Sequence, residues 1–317
     1  MTTWAAESTI YGLISKQRSW CFRGKAIVRQ RDGFTLIELL VVISIIALLM
    51  SIMVPVLGRV KDQARAVLCC ANLRQWSVVW KMVLDDNHDK FISGDEVFGL
   101  MGRSRGSMDF PLVNNAPYQT GIFDHDHSWP AVLWPYYGES KLLCCPTARK
   151  APHRVGRYDN DPGMFSTWGL WTDYQRDFIF GSYGINCWVF DRPPRTLYGG
   201  VWPLWRRASQ KTPERIPIMM DCFWCEGWPF DYHGPQLSRY ELLAHAPGHT
   251  MVHFCMNRHH GKTNGLFFDL SARKIGLKGL WRLKWHRKFD TSGRWTDDWS
   301  PPPVWPEWME KYDDDIN

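Results

Sequence analysis

One apolar stretch near the N-terminus constrains this chain more than any other feature. Between Phe34 and Leu57 lie 24 residues, interrupted only by Thr35, Glu38, Ser44, Ser51 and Pro55. As an α-helix the stretch is about 36 Å long, enough to cross the roughly 30 Å apolar core of a bilayer. Residues 39–50 also lack the polar stripe that a core helix of a soluble protein shows. The sequence therefore predicts a transmembrane helix over 34–57.

The start of this stretch carries two unusual features, a carboxylate and an abrupt boundary. A carboxylate in lipid costs about 2.5–3.5 kcal/mol on insertion scales, so Glu38 is predicted to have a function and a positively charged partner. A secretory signal would place its small-residue cleavage site after the apolar region, whereas Gly33 precedes it. A cut between Gly33 and Phe34 would keep the helix and create an amine one helical turn from Glu38. We expect that amine, of the same chain or of a neighbour, to be the partner.

The first 33 residues form a basic leader. They contain six Lys or Arg residues against two acidic ones, so most of the net charge of +6 lies here. The positive-inside rule places this leader in the cytoplasm. Because little net charge remains in residues 34–317, the basicity does not indicate a nucleic-acid partner.

The run from Gly33 to Ile43 resembles the cleavage and methylation signature of type IV pilins and type II secretion pseudopilins. The resemblance implies that prepilin peptidase cuts between Gly33 and Phe34 and methylates Phe34, and that Glu38 pairs with a terminal amine during filament assembly. Other implied partners are pilin-like subunits and the inner-membrane platform of a secretion system. The implied location is the bacterial inner membrane, crossed once, with the C-terminal domain in the periplasm or in a surface filament.

Beyond Leu57 the pattern predicts an α+β fold. Residues 58–88 continue the helix outside the membrane, with Val60, Val67, Val78 and Val79 near its apolar face. Pro55, which lacks an N–H, is expected to kink the helix. Residues 89–288 read as a loop-rich antiparallel sheet domain, and residues 289–317 as an irregular tail rich in Trp, Pro and Asp. Candidate strands are 131–134, 182–190, 216–221, 251–255, 266–268 and 273–277, with a short helix over 279–288.

Nine cysteines raise the question of disulfides and metals. Cys21 would leave with the leader, and a compartment outside the inner membrane allows disulfides among the rest, so we expect at least one. The spacing of Cys222 and Cys225 suits redox chemistry or zinc, but no second CxxC is present, and neither a metal nor a cofactor is predicted. The stretch Asp124–His127 favours a solvated loop over a cation site. The eight remaining cysteines are Cys69, Cys70, Cys144, Cys145, Cys187, Cys222, Cys225 and Cys255.

A second resemblance lies near the end of the chain. His259 and Asp269 are separated by nine residues, as in the His-X9-Asp-Gly motif of many large prepilin-like proteins, with Leu270 in place of the glycine. We expect a structural contact between His259 and Asp269 that pins a hairpin, because no nucleophile accompanies the pair in a recognised motif. The chain is accordingly not expected to be an enzyme.

Three functions remain open. The first is a pseudopilin subunit of a type II secretion-like system. The second is a membrane-anchored module that binds glycan or protein through a face rich in tryptophan, of which the chain has 19. An exposed tryptophan patch would favour it. The third is a tethered enzyme that uses His259 and Asp269, which would require a concave pocket around that pair.

Overall fold

The computed structural model describes residues 34–94, 128–148, 165–171, 178–192, 202–235, 250–296, 298 and 300–316. The leader with Gly33, and the loop Asp124–His127, lie outside these residues. The chain divides into two compact units between Met53 and Val54.

Helix α1 spans Leu36–Asp86 and is 51 residues long, or about 77 Å. In the described part of the chain it is the helix that is long and apolar enough to span a membrane. Its apolar side chains up to Leu57 are all exposed, an apolar surface that calls for lipid or another helix as cover. The helix continues through Pro55, and the kink there stays a prediction.

The later turns of α1 bury one face in the core of the second unit. The sequence predicted an apolar face that includes Val60, Val67, Val78 and Val79; Val79 is buried, but the other three are wrong because they are more than half exposed. The buried row has helical spacing and includes two tryptophans, Trp76 and Trp80, whose large side chains remove more apolar area from water than a valine does. Its members are Ala66, Cys69, Leu73, Trp76, Val79, Trp80, Val83 and Leu84.

A five-stranded sheet faces this core, and the α+β prediction is confirmed. The strand order is β5-β3-β4-β6-β7, and all neighbours are antiparallel except β3 and β5, so the sheet is mixed and not purely antiparallel as expected. A separate hairpin pairs β1 with β2. The strands are β1 Trp168–Trp171, β2 Phe178–Gly181, β3 Tyr183–Asn186, β4 Pro217–Asp221, β5 Glu226–Gly227, β6 Lys262–Phe267 and β7 Ala272–Gly276.

Two of the expected strands are helical. Residues 131–134 lie in α2, Trp129–Tyr137, because Pro130 suits the first turn of a helix and Gly138 closes it with a φ of 56°. Residues 251–253 belong to a 3-10 helix, Thr250–His253. The helix expected over 279–288 is a shorter 3-10 helix, Lys278–Arg282. The other four candidate segments contain strands.

The C-terminal residues are irregular, as expected, but they belong to the core. They include a short helix α3, Glu307–Glu310, in which Met309 is fully buried. The backbone N–H of Gly276 donates to the carbonyl of Asp315, so this segment also bonds to the edge strand β7.

Tryptophans form much of the core. Each indole N–H of Trp76, Trp129, Trp188 and Trp285 donates to a buried backbone carbonyl, which satisfies its polar group inside the core. Among the tryptophans with described side chains, Trp134 stands out as exposed, at 45%. An exposed tryptophan patch is therefore not formed in this part of the chain. Seven are less than 2% exposed: Trp76, Trp80, Trp129, Trp168, Trp188, Trp281 and Trp285.

Candidate functional site

Thr35 and Glu38 form a reciprocal cap at the start of α1. The Glu38 carboxylate accepts hydrogen bonds from the Thr35 backbone N–H and from its hydroxyl, each at 2.8 Å. The Glu38 backbone N–H donates to the Thr35 hydroxyl at 3.2 Å. This is a capping box, which satisfies N–H groups that a helix start leaves without intrahelical partners. The sequence-based interpretation of Glu38 missed this local role, although a threonine three residues before a glutamate is its known signal.

The other polar side chains of the apolar run bond within the helix. The hydroxyl of Ser44 donates to the carbonyl of Val41 at 2.8 Å, and that of Ser51 donates to Leu48 at 2.7 Å. Such back-bonding lets serine sit in an apolar environment without an unsatisfied donor. Glu38 is thus the one acidic or basic side chain between Phe34 and Leu57.

A second constellation lies in the core of the other unit. Cys69 on α1, Cys145 after a 3-10 helix, Asp221 at the end of β4 and His259 before β6 bring one ligand atom each to within 4.8 Å of one another. The first three side chains belong to residues with 0% exposure, and His259 is 6% exposed. Among the described residues, these four side chains form one group of cysteine, histidine and carboxylate ligands that could hold a metal ion.

The distances within this cluster centre on one histidine nitrogen. The Nε2 atom of His259 lies 3.0 Å from Oδ2 of Asp221 and 3.5 Å from Sγ of Cys145. The same Oδ2 atom lies 3.4 Å from Sγ of Cys69. These three contacts link the four side chains in series, and because every pair of ligand atoms is within 4.8 Å, the series closes around one point.

The carboxylate partner of His259 is Asp221 and not Asp269, so the predicted contact is wrong. Asp269 is exposed, and its Oδ1 accepts hydrogen bonds from the backbone N–H and hydroxyl of Ser271, at 3.0 and 2.7 Å. Leu270 adopts a φ of 62°, the conformation for which a glycine would be suited. Asp269 and Leu270 thus shape the β6–β7 turn, while His259 turns inward.

Burial and neighbouring charges both act on the cluster. Burial would raise the pKa of Asp221, but His259 and Arg258 hold it below its usual value. Burial would lower the pKa of His259, but the Asp221 charge raises it to about 9. Burial raises the pKa of Cys69, whereas hydrogen bonds with Cys69 and His259 outweigh burial at Cys145 and lower its pKa to about 6. The Asp221 charge is therefore held in the core by its cationic neighbours.

All eight cysteines of the described residues are free thiols. The disulfide expected from the sequence stays a prediction that these residues do not support. Cys222 and Cys225 are buried, and burial raises the pKa of both thiols, which opposes redox chemistry at this CxxC pair. Nothing in the spacing of the sequence distinguished Cys69 and Cys145 from the other six.

A pocket of about 460 Å³ lies at the C-terminal end of α1, away from the buried cluster. Neither His259 nor Asp269 lines it, so it does not supply the concave site that the enzyme hypothesis required. Its lining residues are Lys81, Leu84, Asp85, His88, Asp89, Ala208, Ser209, Phe268 and Leu270.

Comparison with known proteins gives one match. Residues 28–54 match the family model described as the prokaryotic N-terminal methylation motif. The match covers the Gly33–Phe34 boundary, the Thr35–Glu38 cap and most of the apolar run. Comparisons with curated proteins and with solved structures gave no match.

Proposed function

We propose that this chain, which carries the type IV pilin and pseudopilin signature at its N-terminus, is a pseudopilin subunit of a type II secretion-like system. The observation that carries the proposal is the match over residues 28–54, joined to a helix whose apolar half is exposed. The motif supports a subunit that prepilin peptidase processes and that assembles with other pilin-like subunits. The proposal adds the type of system and its inner-membrane platform.

The proposed topology follows from charge and apolar length. The basic leader stays in the cytoplasm, α1 crosses the inner membrane once, and the domain after Leu57 lies in the periplasm or in a surface filament. The exposed apolar side chains between Phe34 and Leu57 are covered first by lipid and then by the helices of neighbouring subunits.

Processing is tested directly by mass spectrometry of the protein from membranes of a host that has prepilin peptidase. The mature chain is expected to begin at an N-methylated Phe34. Gly33→Val should block the cut, because a branched side chain crowds the scissile bond. An intact leader in the wild type, or a cut after residue 57, would overturn the proposed processing.

Glu38 can contribute to the helix cap and to charge pairing with the Phe34 amine, and a substitution can separate these two roles. The capping box needs a hydrogen-bond acceptor at this position, which glutamine also supplies. Pairing with the amine of Phe34 needs the negative charge, which glutamine lacks. If the carboxylate meets a neighbour's amine in the filament, Glu38→Gln should retain the helix cap and still lose assembly.

The measurement is crosslinking between subunits in isolated membranes. Wild type is compared with Glu38→Gln, Glu38→Val and the control Ser51→Ala, which removes a hydroxyl bonded within the helix. We expect both Glu38 variants to be cleaved and retained in the membrane and to lose most crosslinking, while Ser51→Ala behaves as wild type. Wild-type crosslinking in Glu38→Gln would show that the charge of Glu38 is not needed for assembly and that the residue acts only in the helix cap.

The two alternatives have less support. The binding module relied on exposed tryptophans, and most tryptophan side chains that the structure describes are buried. The tethered enzyme relied on His259 and Asp269, which do not meet. We therefore propose a structural subunit and not an enzyme.

A further inference from the structure

The buried cluster of Cys69, Cys145, Asp221 and His259 has the donor set of a metal site. Two sulfurs, one imidazole nitrogen and one carboxylate oxygen are ligands that zinc accepts in four-coordinate sites. Four donors without an open position are typical of structural zinc, whereas catalytic zinc keeps one position for water. The cluster is also closed to solvent, since its most exposed member, His259, is 6% exposed.

The separations between the donor atoms fit a shared centre. Tetrahedral zinc with ordinary bond lengths places a sulfur about 3.5–3.6 Å from a nitrogen or oxygen ligand, a nitrogen about 3.3–3.4 Å from an oxygen, and two sulfurs about 3.8 Å apart. Sγ of Cys145 lies 3.5 Å from Nε2 of His259, and Sγ of Cys69 lies 3.4 Å from Oδ2 of Asp221. The separation of Nε2 and Oδ2 is 3.0 Å, slightly shorter than such an edge. The other three pairs of donor atoms lie within 4.8 Å, so modest shifts of side chains would complete the tetrahedron.

A Cys–His–Asp catalytic relay does not explain the same geometry. In a relay, one imidazole nitrogen faces the nucleophile and the other faces the carboxylate. Here Cys145 and Asp221 both contact Nε2 of His259. Convergence of two partners on one nitrogen suits ligands around a common ion, and the burial of Cys145 also keeps substrate away.

The surroundings orient the proposed ligands. The hydroxyl of Tyr183 donates to Sγ of Cys69 at 3.3 Å, and the backbone N–H of Thr147 donates to Sγ of Cys145 at 3.4 Å. The backbone N–H of Asn264 donates to Oδ2 of Asp221 at 3.1 Å. Donors of this kind stabilise thiolate and carboxylate ligands and fix their direction.

The charges of such a site balance inside the core. Two thiolates and one carboxylate carry three negative charges. A divalent ion would compensate two, and the fully buried guanidinium of Arg258, 3.5 Å from Oδ1 of Asp221, compensates the third. Buried charges are tolerated where they are compensated and hydrogen-bonded, and Arg258 also donates to the carbonyls of Ser182, Ser166 and Cys222.

We propose that Cys69, Cys145, Asp221 and His259 bind one Zn²⁺ ion, which fastens the later turns of α1 to β4 and to the segments before β6 and after the 3-10 helix Ser140–Leu143. The site is structural and does not depend on processing at Gly33. It also accounts for the inward direction of His259.

Metal content is measured on the full-length chain, purified in detergent without a polyhistidine tag. Elemental analysis should find one zinc per chain. Cys69→Ser and Cys145→Ser should each lower zinc affinity by at least about tenfold, since even outer-shell changes have effects of that size. Cys70→Ser is the matched control: it is adjacent to Cys69, but its Sγ donates to the carbonyl of Ala272 at 3.2 Å, a bond that serine can replace. This variant should keep its zinc.

A second measurement needs no variant, so it stands if the substituted chains fail to fold. The wild-type chain is stripped with a chelator and titrated with CoCl₂. A four-coordinate site with two thiolates should show intense thiolate-to-cobalt charge-transfer absorption and strong d–d bands, both lost when ZnCl₂ displaces cobalt. Chelation should also lower the Tm, and ZnCl₂ should restore it.

Three results would overturn the proposal. The first is protein that is purified without zinc and shows no thiolate–cobalt absorption. The second is a disulfide between Cys69 and Cys145 in the native chain, found by peptide mapping. The third is an equal loss of zinc in Cys70→Ser and Cys69→Ser.

Discussion

Nε2 of His259 lies 3.0 Å from Oδ2 of Asp221, a residue 38 positions earlier in the chain. The nearer carboxylate in sequence, Asp269, is exposed and bonds to Ser271 instead. Because Asp221 is buried and Asp269 is exposed, we expect substitution of the two carboxylates to lower stability by very different amounts.

Replacing Asp221 should be far more harmful than replacing Asp269. Asp221→Ala removes the carboxylate that faces Arg258 and His259 in the core, and breaking a buried ion pair in this way costs about 3–5 kcal/mol. Asp269→Ala loses only hydrogen bonds in an exposed turn and should cost about 1 kcal/mol. Urea unfolding of the detergent-solubilised chains, followed by tryptophan fluorescence, compares the two. Equal losses in the free energy of unfolding would contradict the contact between His259 and Asp221.

Trp76 should anchor α1 in the domain. It is fully buried, its indole N–H donates to the carbonyl of Leu142 at 2.8 Å, and its ring packs edge-on against Trp129 at 5.5 Å. Trp76→Ala should lower the free energy of unfolding by about 3–5 kcal/mol. Val78→Ala, on the exposed face of the same helix, should change it by no more than about 0.5 kcal/mol. Chemical denaturation measures both; similar values would contradict the buried face described for α1.

Two glycines predict opposite signs for the same substitution. A Cβ atom at Gly184 in β3 would lie 2.6 Å from Sγ of Cys222 and 2.7 Å from the carbonyl oxygen of Trp224, so Gly184→Ala should destabilise the domain by about 1–3 kcal/mol. A Cβ at Gly58 in α1 meets nothing within 4 Å, and Gly58→Ala should stabilise the helix by about 0.5–1 kcal/mol. Thermal unfolding of the two variants decides the signs, and a tolerated Gly184→Ala would contradict the packing of β3.

Glu226 should make stability depend on pH. Burial raises the pKa of its carboxyl from 4.5 to about 8, next to Sγ of Cys187 at 3.7 Å. Between these two values the folded chain holds a proton that the unfolded chain has lost, so this residue's contribution to stability should fall as pH rises from about 4.5 to about 8. Glu226→Gln should remove that contribution. Unfolding measured across this range gives the difference between wild type and variant, which should grow with pH; a difference independent of pH would refute the raised pKa.

The N-terminal half of α1 could be predicted because its determinants are local. Apolar length, the lone carboxylate at Glu38 and the Gly33–Phe34 boundary are properties of consecutive residues, and they need no knowledge of the fold. The Thr35–Glu38 cap was missed, but it could have been predicted in the same way, since its two members are three residues apart on one helical turn. The α+β class and four strand-containing segments followed from the same kind of short-range pattern.

Only the tertiary structure decided which residues meet in the core. Cys69 and Asp221 are 152 residues apart, and Cys145 and His259 are 114 apart, so no sequence period relates them. Their encounter depends on where α1 docks against the sheet, and that docking is set by the shape and area of large side chains such as Trp76. A pattern of apolar positions counts such side chains equally with the exposed Val78. The sequence by itself thus determined the apolar N-terminal helix and its start, whereas the buried cluster arises from packing between distant segments.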